Sequence, residues 1–198
     1  MLSTIVTAEF KHLYAIRQEM RSWRFLQLDP LELRIPSSAL ESEQLAPNGA
    51  NLAYVLHRID RETSLSDGSG STLADITADL AHLIPGVRGF DVRQNPSRQW
   101  EIWFDSRADS AYPAAVASDG TLRVMALLAA LYDPRFRGVI CFEEPENGVH
   151  PARLRDLIRH LRGLITEQLS VTASRAPLIQ LVVASHSPVV MSAAEDAR

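Results

Sequence analysis

Two stretches in the second half of the chain are almost unbroken in apolar residues, GVICF over 138–142 and LIQLVVA over 178–184. Runs of that length, closed by polar residues, have the character of parallel strands covered by helices on both faces, because neither face alternates with solvent. Around them the apolar spacing becomes that of a helix, over 119–132, over 151–168 and again from Pro188. Strand and helix alternate from Ser118 onward, the order of a parallel α/β sheet. The earlier part is organised differently. Residues 51–61 read as an amphipathic helix, and the region before them as helical segments broken by Pro30, Pro36, Pro47 and the Asn48-Gly49 pair. LSDGSGST at 65–72 predicts a flexible loop, and 73–84 predicts a helix that stops at Pro85-Gly86. GFDVRQNPSRQWEIWF at 89–104 predicts a hairpin turning at Asn95-Pro96. The expected architecture is a helical and β-hairpin insert over 1–112 followed by an α/β lobe with a largely parallel sheet over 113–198.

Composition narrows the class. With 198 residues, 46% of them hydrophobic and 22% charged, the chain is large enough for a soluble core. The formal charge of −4 provides no general attraction to nucleic acid. Lys11 is the sole lysine among 20 basic residues. Cys141 is the sole cysteine and lies inside an apolar run, which excludes an internal disulfide and fits a reducing cytoplasm. MLSTIVTAEFKH is too short in apolar length for a signal peptide, and VMALLAALY at 124–132 falls far below the roughly 20 residues of a membrane span. A cytoplasmic protein without membrane contact is expected.

The candidate chemistry gathers where the apolar runs end. The first run discharges into Glu143-Glu144-Pro145-Glu146, the second into Ser185-His186-Ser187-Pro188. Ligands of parallel sheets bind beyond the carboxyl ends of the strands, so Glu144 and His186 would share one edge if the strands are neighbours. Adjacent acids after a buried strand repel one another unless a cation or hydrogen-bond donors relieve them, although solvated acids and a turn histidine are the plain alternative. ASDGTLR at 117–123 precedes a helix apolar almost all round. Ser118 or Asp119 can cap that helix, Gly120 permits close backbone approach to a ligand, and the exposed N–H groups suit an anion. Arg123, a cation on a buried helix, calls for a carboxylate or phosphate partner. An ordinary cap and turn is the plain reading here.

In this order, ASDGTLR, VICFEEPENGVHP and VVASHSP resemble the C-terminal half of ABC-type head ATPases, the AAA family ATPases related to RecF, SMC and the overcoming-lysogenization-defect proteins. DPLELRIPS at 29–37, NGANLAYVL at 48–56 and HLIPGV at 82–87 resemble the segment such proteins carry before the signature motif. The resemblance implies the C-terminal lobe of an ABC-head P-loop ATPase that hydrolyses ATP with Mg²⁺. It assigns Glu143 to the Walker B metal position, Glu144 to the general base and His186 to the switch histidine. Ser118 and Gly120, with Asp119 and Arg123 beside them, fall in the signature motif that meets ATP held by a second subunit. Residues 147–150, ending in His150, fall in the loop coupling the two sites. The partner implied is a second copy or a complementary ATPase lobe.

One part of the pattern is missing. A P-loop needs a glycine-rich turn ending in Lys-Ser or Lys-Thr, and Lys11, in TAEFKHLYA, has no glycine near it. The expectation is therefore a fragment, split subunit or truncated gene product, inactive as an isolated chain. Two other functions stand beside it. One is a non-catalytic partner supplying the signature motif in trans. The other is a metal-dependent hydrolase using Glu143, Glu144, Glu146, His150 and His186 as ligands, without a recognisable ligand spacing. Arg153, Arg155, Arg159 and Arg162 line one face of the 151–168 helix and could contact a DNA backbone, although a solvated or salt-bridged face is the preferred reading. The effector coupled to hydrolysis, in DNA maintenance or anti-phage defence, is not encoded in these motifs.

Overall fold

A computed structural model describes residues 11–39, 42–64, 71–108, 110–136, 138–167 and 179–195. Most of the loop expected over 65–72, and the first residue of the strand expected over 178–184, lie outside the described residues. In chain order the elements are α1 (Lys11–Ser22), β1 (Arg24–Leu26), α2 (Pro30–Leu33), α3 (Leu52–Ser64), α4 (Thr72–Leu83), β2 (Val87–Gln94), β3 (Trp100–Ser106), β4 (Ala111–Pro113), a 3₁₀ turn at Ala114–Val116, α5 (Asp119–Tyr132), β5 (Gly138–Glu143), α6 (Pro151–Glu167), β6 (Ile179–Ala184) and α7 (Pro188–Glu195). They build two sheets, a parallel one in the order β1-β5-β6 and an antiparallel one in the order β2-β3-β4.

α5 is the centre of the molecule. Leu, Ala and Met dominate it, all strong helix formers, and its apolar residues occupy the whole circumference. From Gly120 to Leu131 only Arg123 escapes full burial. α6 has a single apolar stripe, Leu154, Leu157, Ile158 and Leu161, turned into the core, while Arg153, Arg155, Arg159 and Arg162 stay exposed. Pro151 opens it at a position where no backbone donor is needed.

The expected hairpin forms, and the structure adds two short strands that the sequence pattern had not marked. β1 lies in the region read as helical, and β4 extends the hairpin sheet through Phe104↔Tyr112. Each has three residues, too few to display a period of two. A second correction concerns the coverage of the parallel sheet. Phe25, Cys141 and Val182 stand in one cross-strand row, with Phe25 63% and Val182 54% exposed. Leu26 and Phe142, in the next row, are buried, so at this level the described residues cover one face of the sheet, while Val139, two residues before Cys141, is buried on the other.

A buried ion cluster holds the far end of α5. Asp133, whose side chain has no solvent exposure, forms an ion pair with Arg58 Nη2 at 2.9 Å and accepts Arg24 Nη1 at 3.4 Å. Arg24 also lies 4.4 Å over the Phe136 ring. Burial lowers the pKa of Arg24, and the neighbouring Asp133 carboxylate acts against that shift. One carboxylate thereby ties β1, α3 and the α5–β5 connection together. Asp133→Ala strips two guanidiniums of their counter-charge and is expected to cost about 3–5 kcal/mol, read from urea denaturation. A loss below about 1 kcal/mol would show that the cluster does not hold these elements together.

Candidate functional site

The site begins with strand register. β5 and β6 pair from Gly138↔Ile179 to Glu143↔Ala184. One further rung follows, the Glu144 N–H donating to the Ala184 carbonyl at 2.8 Å. Glu143-Glu144 and Ser185-His186 therefore leave the sheet side by side at its carboxyl edge. Glu143, Glu144 and His186 are all exposed there.

The chain turns sharply at this point. Glu144 has φ +51°, a left-handed conformation that costs a non-glycine residue about 1–2 kcal/mol and persists only when neighbours enforce it. Those neighbours are specific. The Asn147 N–H donates to the Glu144 carbonyl at 3.0 Å, and Asn147 Nδ2 donates to Glu144 Oε2 at 2.5 Å.

Glu146 performs a task that sequence reasoning had placed only among metal ligands. Ser185 Oγ lies 2.8 Å from both of its carboxylate oxygens, and the His186 N–H donates to Oε1 at 3.1 Å. Ser187 N–H in turn donates to Ser185 Oγ at 3.0 Å. Burial pushes the Glu146 carboxyl upward, but its own backbone N–H, Ser185 and the amides of His186 and Ser187 outweigh this and leave its pKa below the ordinary value. Glu146 thus clamps the backbone that presents His186.

The other predicted cluster lies at the start of α5. Ser118 is the cap, its Oγ accepting the Thr121 N–H at 3.2 Å and lying 2.7 Å from Thr121 Oγ1. Gly120 is needed for a reason inside the chain. A Cβ on it would sit 2.1 Å from the Gly148 carbonyl oxygen, and Gly148 itself has φ +76°. The close approach expected of Gly120 is therefore made to the 144–149 turn. His150 accepts the Ala152 N–H at 3.2 Å through Nδ1, which starts α6. Ser118, Gly120, Gly148 and His150 line an open cleft of about 510 Å³ whose other wall is Leu83, Ile84 and Pro85.

The predicted residues thus form two groups joined by one turn: Glu143, Glu144 and His186 at the sheet edge, and Ser118, Gly120 and His150 around the cleft. Asp119 is half exposed and paired with Arg34. Arg123 does not line the cleft, and its buried Nε finds no acceptor among the described residues. Among those residues no three His, Cys, Asp or Glu side chains converge in a way that could hold a metal. Mg²⁺ retains several waters and takes one or two carboxylates beside phosphates, so Glu143 with Glu144 fits it without such a cage.

A parallel sheet with polar side chains at its carboxyl edge, and a core helix whose amino end abuts the same turn, is an arrangement that AAA or ABC-type ATPase heads share. The chain belongs to the family described as AAA domain, putative AbiEii toxin, Type IV TA system, whose model matches residues 11–192. The fold is also that of an SmcHead solved bound to the C-winged helix domain of ScpA, with 17% identity and a TM-score of 0.52, over 87% of this chain and 49% of that one. Weaker likenesses are found to the Smc head domain with an extended coiled coil from Pyrococcus furiosus (13% identity, TM-score 0.43, 94% of this chain and 42% of that one) and to the SMC head domain from Thermotoga maritima (13%, 0.36, 70% and 44%). The chain spans about half or less of the length of these heads. Among curated proteins no match is found. Among the described residues no helix is long and apolar enough to cross a membrane.

The Gly120–Gly148 contact is directly testable. Gly120→Ala forces a methyl group onto backbone that cannot swing aside, and is expected to destabilise by about 1–3 kcal/mol in thermal or urea unfolding. A variant as stable as the parent would mean that the turn and α5 are not in van der Waals contact.

Proposed function

We propose that this chain is the C-terminal lobe of a Mg²⁺-dependent ATP-hydrolysing head that works as a dimer. The observation that carries the reading is the parallel β5–β6 register, which sets the paired glutamates beside His186 at one sheet edge. In this reading Glu143 orients the water shell of the metal, Glu144 takes a proton from the attacking water, and His186 senses the γ-phosphate. When bound, Mg²⁺ supplies neutralisation of phosphate charge. Ser118 and Gly120, with Asp119, Arg123 and His150 nearby, form the face offered to nucleotide held by the opposing subunit. Because one turn carries Asn147 against Glu144 and Gly148 against Gly120, the state of one site is felt at the other.

The cradle for the phosphates comes from a segment outside this sequence, since no glycine-rich loop with a lysine is present. The family description names a putative toxin of a type IV toxin–antitoxin system; in our reading the coupled process is of that kind or an anti-phage system, with DNA contact through the exposed α6 arginines. In isothermal titration the isolated chain is expected to give no saturable heat with MgATP below about 1 mM. A micromolar Kd would contradict the need for a second segment.

In the complete ATPase, Glu144→Gln removes the base but keeps its shape. Turnover is expected to fall about 10²-fold or more while ATP-bound dimers accumulate, measured by phosphate release and size-exclusion chromatography. Unchanged hydrolysis would take Glu144 out of this role.

A further inference from the structure

Arg34, at the C-terminal end of α2, reaches across to the start of α5. Its Nη1 donates to the Pro30 carbonyl at 2.6 Å. Its Nη2 donates to the Ala117 carbonyl at 2.8 Å and to Asp119 Oδ1 at 2.5 Å. The guanidinium thus grips the residue on each side of Ser118, the helix cap. A cation at the amino end of a helix opposes the helix dipole, so its placement there needs a compensating task. Asp119 supplies one. An acid in a loop that faces phosphate would repel the ligand, and a guanidinium fork held by three acceptors offsets that charge.

We infer that Arg34 is the positioning residue of the Ser118–Gly120 loop: it orders the loop and masks the Asp119 carboxylate, so that a nucleotide phosphate on an opposing subunit can approach the α5 amino end. This rests on the function proposed above for that loop, but its structural half can be tested separately. Arg34 acts through Ala117 and Asp119. Lysine in its place retains the charge but cannot span the three acceptors from one planar group.

The first test uses the chain itself. Hydrogen–deuterium exchange of Arg34→Ala should speed exchange at the amides of 117–121 by about tenfold while β5 and α3 keep their protection, and Arg34→Lys should restore only part of it. Parental exchange at 117–121 in Arg34→Ala would overturn the inference, and so would a uniform rise across the molecule, which would mean general destabilisation.

The second test uses the complete ATPase. Arg34→Ala should raise KM for ATP and weaken ATP-driven dimerisation about tenfold with a much smaller change in kcat, and the effect of Arg34→Ala should shrink to less than about threefold when introduced into Asp119→Asn. An equal penalty in both backgrounds would overturn the masking role. Ser118→Arg provides the separate control. If that variant dimerises normally, the reading of the loop as a nucleotide face fails, while the exchange result still decides whether Arg34 orders it.

Discussion

The alignment of two parallel strands is the constraint on which the candidate site depends. With Glu143 opposite Ala184, and the Glu144 amide closing one more rung, the two chains leave the sheet at the same level. A slip of one residue would reverse the faces of every side chain on one strand and separate the acids from the imidazole. The Glu146 clamp on Ser185 and His186 acts just beyond the last rung and holds the same alignment from outside the sheet. The fold here specifies a geometry that the individual side chains, all exposed, could not maintain by packing.

α5 carries the second half of the arrangement because both of its ends are fixed. At its start, Ser118 closes the first turn, Arg34 holds the flanking residues, and the Gly120–Gly148 approach brings in the turn that follows the acids. At its end, buried Asp133 is locked between two arginines from β1 and α3. Between these ends lies a helix with nearly no solvent contact. A displacement at one end can be absorbed by little except rigid movement of the helix, which gives the proposed communication between half-sites a physical carrier. The uncovered row Phe25–Cys141–Val182 shows where the described layers stop and is consistent with the chain spanning only part of the heads it resembles.

Much of this was legible in sequence where the signal is local. The all-apolar helix was expected over 119–132 and runs Asp119–Tyr132, Pro188 does open the last helix, and the hairpin does turn at Asn95-Pro96. The acids and the histidine at the strand ends followed from the same runs. Among the described residues the Phe25–Cys141–Val182 row is left uncovered, because an apolar run records the burial a strand is suited to, whichever layers are actually present. Long-range pairings left no local trace. Arg24 meets Asp133 across 109 residues, Arg34 meets Asp119 across 85, and Glu146 meets Ser185 across 39. Gly120 could be marked as a place of close approach, but a missing side chain does not reveal what approaches it. Even the left-handed Glu144 was hidden, since glutamate has no preference that would announce it.

The central claim is that the carboxyl edge of β5 and β6 receives the metal and γ-phosphate of ATP once another segment holds the nucleotide. A structure of the complete protein with Mg²⁺ and a non-hydrolysable ATP analogue tests it most directly. The metal hydration shell is expected against Glu143, a water against Glu144, and His186 about 3 Å from a γ-phosphate oxygen. Nucleotide bound away from this edge, with Glu143 and Glu144 facing only solvent, would contradict it.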